Sequence, residues 1–374
     1  MENANAMAQA GRCLFTLAHV ALVVLSLTTL TGFAQVPVNN SPSANAGLPK
    51  NQIVATIPLG SEPNSMVVSP DSKFVYVTST IRGSAPTSQT GITQVIDTAT
   101  NTITFTINVG NNTFPYNLAI TPNGDTLYVT DFDSPTVWVI DTVTHTVTKT
   151  LNVLTAHGLA VSPNGKELYV CNSGNNTVTV IDTATNQISN LIGIGHRAWD
   201  VAFTPDSSKA YITVSRGKNP PNGKSHRYLS VVDTATQGVV STLQRKYPRV
   251  PPDNGPTDVM DPNGEQLFVS SERLVTVIST SKDRPIRWIR QTFRHGPAVI
   301  TPDGQFLYMI REEGNFASNV VEMVEIASGQ VVGQPIGPLP YPETVAMAPN
   351  GKFAYVIANF SSGIGLYVVD ISPS

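Results

Sequence analysis

Nine side chains able to bind a ligand or move a proton fall a few residues upstream of recurring Pro-Asp and Pro-Asn turns. They are Tyr116, His157, Arg197, Trp199, Asp200, Asp258, Arg294, His295 and Glu343. Aromatic rings, imidazoles and carboxylates that converge in this way are the usual composition of a small-molecule or peptide site. The imidazoles and Glu343 have the chemistry of a base, and Arg197 or Arg294 that of an electrostatic clamp. The motifs that fix a particular reaction are missing: there is no H-E-x-x-H, G-x-S-x-G, C-x-x-C-H or P-loop pattern. Metalloprotease, serine hydrolase, haem carrier and nucleotide enzyme therefore lose support, and no cofactor is expected.

What must position these groups is a repeated sheet. The turn prolines are Pro70, Pro122, Pro163, Pro205, Pro262, Pro302 and Pro349, each followed by Asp or Asn, at a spacing of about 46 residues. A strand-like run follows each turn, for example Val75-Tyr76-Val77-Thr78, Leu127-Tyr128-Val129-Thr130 and Leu168-Tyr169-Val170-Cys171. A second turn such as Asp182-Thr183-Ala184-Thr185-Asn186 leads into a further strand, because Asp and Thr side chains bond their own backbone. Each unit is thus a four-stranded antiparallel sheet that cannot bury both faces alone. Seven copies predict an all-β chain folded as a seven-bladed β-propeller.

The last repeat stops at Leu366-Tyr367-Val368-Val369-Asp370 without a fourth strand, whereas Ile53 to Leu59 reads like one. The N-terminal strand should therefore complete the seventh blade and close the ring. In such a blade the Pro-Asn-Gly and Asp-Thr-Ala-Thr turns share one uniform end. The irregular loops Ile81 to Thr90, Arg216 to Arg227, Arg245 to Asn254 and Arg311 to Ala317 fall at the other, where the inner strands begin and Asn64 and the candidate residues ring the channel mouth, with Arg197 and Arg294 just outside.

The motifs L-Y-V-T-D (Leu127 to Asp131) and V-I-D-T-A-T-N (Val180 to Asn186) are similar to those of the YVTN family of β-propeller repeats, proteins with a surface-layer-like character. The resemblance covers residues 52–374. It implies the propeller and an extracytoplasmic binding or scaffold role. Some seven-bladed propellers of similar fold act on lactones through His, Glu and Arg at the channel mouth. The alternative implied is a hydrolase or lyase using His157, His295, Glu343 and Arg197 or Arg294, although such enzymes generally lack a secretion signal and repeats this regular.

Residues 1–34 have the layout of a secretory signal peptide: an apolar run from Cys13 to Leu30, then Gly32 and Ala34 at the −3 and −1 positions. Residues 35–51 read as a flexible linker, and 52–374 as the propeller. The expected location is extracytoplasmic, whether periplasm, cell surface or medium, with no transmembrane helix after cleavage. Cys171, the one cysteine outside the apolar run, is expected to act as a small buried hydrophobe. A net charge of −3 gives no argument for nucleic acid. The expected state is a monomer, and the expected partner is a small molecule, a peptide or a cell-wall polymer. Two lesser signals are Asp131-Phe132-Asp133, which carries too few ligands for a calcium loop, and Arg284 to Arg294, with four arginines around Trp288.

Overall fold

The computed structural model describes residues 47–83, 88–154, 156–215, 227–244, 258–271, 273–291, 294–312, 319–360 and 363–374. The expected signal peptide, residues 35–46 of the expected linker, and the greater part of the four irregular loops lie outside the described residues.

Seven antiparallel sheets follow one another along the chain, as the repeat requires. Blades 1 to 5 occupy residues 62–111, 115–152, 156–193, 197–244 and 258–290, each as a meander of four strands. Blade 6 has three regular strands. Its fourth place is taken by a proline-rich stretch held through single bridges, Val324 to Val331 and Val321 to Ile336. Pro335 and Pro338 have no N–H for a ladder, so pairing there cannot run on as a strand. Blade 7 is closed as expected: Gln52–Pro58 pairs antiparallel with Gly363–Asp370, Gln52 opposite Asp370.

The closing strand brings part of the expected linker with it. Pro49 bridges Pro373, and the Lys50 N–H donates to the Ser372 carbonyl. Asn51 is buried, with its amide nitrogen on the Gln334 carbonyl at 2.8 Å. Residues 47–51 are therefore built into the ring rather than free.

The core is divided among the junctions. Seven apolar clusters each join two neighbouring blades, as where Tyr169, Val178 and Val180 of blade 3 meet Val201, Phe203 and Ile212 of blade 4. Both faces of every blade are covered in this way, and the middle strands read as continuous apolar runs.

One end of the ring is almost periodic. Each Asp-Thr-Ala-Thr turn is tied by its Asp, which accepts from the N–H and hydroxyl of the second Thr, as Asp182 does from Thr185 at 2.8 and 2.7 Å. The residue that ends the turn has a positive φ in every blade: Asn101, His145, Asn186, Gln237, Asp283, Gly329 and, ahead of the closing strand, Asn51. In three places the strand-two tyrosine of the preceding blade reaches that residue, whereas the buried Tyr169 hydroxyl has no partner among the described residues. Tyr128 donates to Asn186 at 2.7 Å, Tyr211 to Asp283, and Tyr308 to Asn51 at 2.7 Å. Where strand two carries Phe268, without a hydroxyl, the next turn carries Gly329, without an acceptor.

The Pro turns interlock likewise. The residue two places after the proline stands against the preceding blade's proline, and it is Gly in five blades and Ser in two. A Cβ on Gly264 would lie 2.7 Å from Pro205 Cδ, so glycine is required there. Ser207 and Ser72, at positive φ, instead accept the N–H of Asn164 and Asn350 at 2.9 and 3.1 Å.

Candidate functional site at the channel mouth

The inner strands start at the opposite end, and those of blades 1 to 4 and 6 carry a bulge in their first residues. The bulge leaves a residue at this level out of the ladder with strand two. Level with one another in this row are Asn64, Tyr116, His157, Trp199, Gly296 and Glu343, while its blade 5 member lies outside the described residues.

Tyr116, His157 and Trp199 form a continuous aromatic arc over blades 2 to 4. The His157 ring stands edge-on to Trp199 at 4.6 Å between centroids and to Tyr116 at 5.3 Å. Phe132 packs on Tyr116 at 5.2 Å, and Phe114 on Phe132 at 5.9 Å. Sequence reasoning passed over both phenylalanines because they lie in connectors. Asp131 positions them: its buried carboxylate accepts the N–H of Phe114, the N–H of Asp133 and the Ser134 hydroxyl. Those donors occupy the carboxylate, and the loop it closes presents Phe132 to solvent.

Beneath the arc, side chains stitch the inner strand of blade 1 to that of blade 2, and blade 2 to blade 3. Thr78 donates to the Tyr116 carbonyl at 2.8 Å, and Thr130 to the His157 carbonyl at 3.4 Å. Asn64 and Asn117 amides reach the carbonyls of Pro115 and His157. Between blades 3 and 4 these donors are gone, because Cys171 replaces the threonine and Gly158 the asparagine. A Cβ on Gly158 would sit 2.3 Å from the Trp199 carbonyl oxygen, so the two strands approach too closely for a side chain there. His157 compensates. Its Nδ1–H donates to the Trp199 carbonyl at 3.2 Å, which fixes the tautomer and leaves Nε2 as an acceptor. Burial drives its pKa down to about 4, so the ring is neutral near pH 7.

Asp200 and Asp258 form an electronegative spot at the blade 4–5 junction. The Asp200 carboxylate accepts the Val201 N–H at 2.9 Å and, more loosely, the Asp258 N–H at 3.4 Å. Burial raises its pKa to about 6 against the pull of those two donors. Thr213 donates to Asp258. The two charges, added to burial, push the enclosed Cys171 thiol well up, so it is an inert hydrophobe. Burial and the Asp200 charge also push the Tyr116 phenol up.

Asp258 and His295 sit in other rows, as their spacing shows: the mouth row stands six residues before the turn proline, Asp258 four and His295 seven. Asp258 pairs with Val269 in the register of Leu159 with Val170 and Val201 with Ile212. It is one step deeper than the rim, at a position that is apolar in all six other blades, among them Met66, Leu118 and Val345. His295 pairs with Arg311 at the level of Pro115 and Ala156, one residue before the row. The side chains of His295 and Arg294 lie outside the described residues. Arg197 begins its strand exposed, and Glu343 is exposed with its N–H on the Ile357 carbonyl. The structure thus brings together Tyr116, His157 and Trp199, and separately Asp200 with Asp258.

No family model and no curated protein matches the chain. Among solved structures it is similar to hydrazine synthase of Kuenenia stuttgartiensis, at 20% identity and a TM-score of 0.67, over 84% of this chain and 97% of that one. At that identity the similarity concerns the fold, and the fold is the seven-bladed β-propeller.

Proposed function

We propose that the protein is an exported, YVTN-type binding propeller that takes a small molecule or peptide at the channel mouth, and that a positively charged nitrogen on the ligand faces Asp200. The reading is supported by the edge-to-face arc of Tyr116, His157 and Trp199, with Phe132 at its margin. Half-buried rings present area at little cost in conformational entropy, and an aromatic wall beside a desolvated carboxylate suits an ammonium or guanidinium group. The hydrolase reading is the weaker one, because a base is effective when its pKa is near the working pH and that of His157 is about 4.

The test is calorimetric titration of the purified protein with a panel of amines, basic peptides and cell-wall fragments. Trp199→Ala should weaken the ligand found by about tenfold or more and move the melting temperature little. Unchanged affinity with a large loss of stability would make Trp199 a channel plug and end this reading. Export is checked independently by whether the protein recovered outside the cytoplasm begins at Gln35.

A further inference from the structure

The outer strand of blade 5, Arg284–Arg290, departs from the repeat in a way that the fold does not require. Matched by register, Arg284, Trp288 and Arg290 occupy the places of Thr102, Thr106 and Asn108 in blade 1. The three positions are uncharged in each of the other five blades with a regular outer strand. The fourth arginine-type position is different. Arg287 takes the place of Lys149, and both reach across to backbone carbonyls of the next blade, Ile326 and Ala327 in one case, Thr185 and Asn186 in the other. The fold therefore accounts for Arg287 and leaves Arg284, Trp288 and Arg290 over.

All three are exposed, and Trp288 keeps 42% of its surface in water, with Ile286 beside it at 41%. Trp288 and Arg290 stand two residues apart on one face, about 7 Å along the strand, with Arg284 at its head. Neither the Arg284 nor the Arg290 side chain has an ion pair or a hydrogen bond among the described residues. Between Arg273 and Arg290 there are five cationic side chains and one carboxylate, in a chain of net charge −3. That carboxylate, Asp283, is already engaged by Lys209 at 2.8 Å and by Tyr211.

We propose that this strip binds an anionic polysaccharide, with Trp288 stacked on a sugar ring and Arg290 and Arg284 holding acid groups of the polymer. A planar guanidinium pairs with a carboxylate or sulfate through two parallel N–H bonds, which explains arginine rather than lysine. A flat indole on a pleated strand offers a sugar the apolar face it needs. A membrane fits less well, because Trp288 and Ile286 lie within a paired strand and not on a protruding loop that could enter lipid. The strip lies on an outer strand and the aromatic arc on inner strands, and it does not depend on what binds there.

The experiment is native affinity electrophoresis of the purified protein through gels containing polygalacturonate, heparin or neutral dextran. The charged gels should retard the protein and dextran should not, and added salt should relieve the retardation. Trp288→Ala should weaken binding about tenfold, and the double variant Arg284→Gln, Arg290→Gln at least as much. Melting temperatures should stay near that of the parent, since all three side chains are exposed. Lys352→Gln, an exposed cation on blade 7, should change nothing. Four results would overturn the proposal: no retardation of the parent protein; equal loss with Lys352→Gln; Trp288→Ala without effect, which would mean bare ion exchange; or capture by vesicles of anionic lipid with none by polysaccharide.

Discussion

The two ends of the ring solve the same problem differently. At the turn end, several changes in one repeat are answered in the next. Tyrosine faces a polar turn residue, Phe268 faces Gly329, and a proline meets glycine or a serine hydroxyl. At the mouth, the row Asn64, Tyr116, His157, Trp199, Gly296 and Glu343 varies freely in size and charge. One of those differences is nonetheless an answer, since His157 supplies the bond that Cys171 cannot. Variation in a repeat is thus of two kinds, compensated and uncompensated, and only the second marks surface available to a ligand.

The comparison can be broken most severely at the closure. Removing Gln52–Pro58 strips Ile57 from the blade 7–1 core and exposes the edge of Gly363–Asp370. Burial of Ile57 alone is worth about 2 kcal/mol, and the whole ladder with the last strand goes with it, so the truncated protein should melt far lower and aggregate. An unaltered melting curve would show that the ring does not depend on this strand.

The coupling at the turn end is tested by a swap. Phe268→Tyr buries a hydroxyl opposite Gly329, where no side chain accepts it, and should cost about 2 kcal/mol. Adding Gly329→Asn should recover most of that loss, because Asn tolerates the left-handed backbone seen at Asn186. If the double variant is no better than the sum of the two singles in denaturant unfolding, the pairing is coincidental.

A smaller effect of the same type is expected at the mouth. His157→Ala leaves the Trp199 carbonyl without the imidazole donor and should cost about 1–2 kcal/mol. Cys171→Thr restores the hydroxyl present at Thr78 and Thr130, and in that background His157→Ala should cost clearly less. Equal costs in both backgrounds would refute the compensation.

The smallest effect is a slope. Asp200 is raised from 3.8 to about 6, so its folded form holds a proton the unfolded chain has lost, and stability falls as pH rises through that window. His157 is lowered from 6.5 to about 4, so the unfolded chain binds the extra proton, and stability rises over nearly the same range. The two largely offset each other between about pH 4 and 6. Asp200→Asn should make stability climb with pH there, and His157→Gln should make it decline. Identical pH profiles in the two variants would show that neither group titrates as its burial dictates.

Much of the fold was legible because the repeat is written in turn residues whose chemistry is local, such as Pro163-Asn164-Gly165 and Asp182 to Asn186. Closure was legible from a missing fourth strand and a spare one. The site was legible only in part. Loose alignment on the turn prolines placed Asp258 and His295 in the mouth row, but the row stands six residues before each proline, Asp258 four and His295 seven, so both pair at other levels. Phe114 and Phe132 escaped because connectors carry no period. The structural role of His157 could not be seen until Cys171 was placed beside the threonines that it replaces.

The pairing of Gln52–Pro58 with Gly363–Asp370 also sets a timetable. During synthesis the first of these strands emerges early and its partner some 300 residues later, and Lys50 and Asp370, now ion-paired, stand 320 positions apart. Blades 1 to 5 can form from local hairpins while this strand waits with both edges unpaired. Bringing the two together closes a very long loop, so the step that makes the molecule a ring is expected to come last. Until then the core that blades 7 and 1 share is incomplete, and the edge of Gly363–Asp370 stands open.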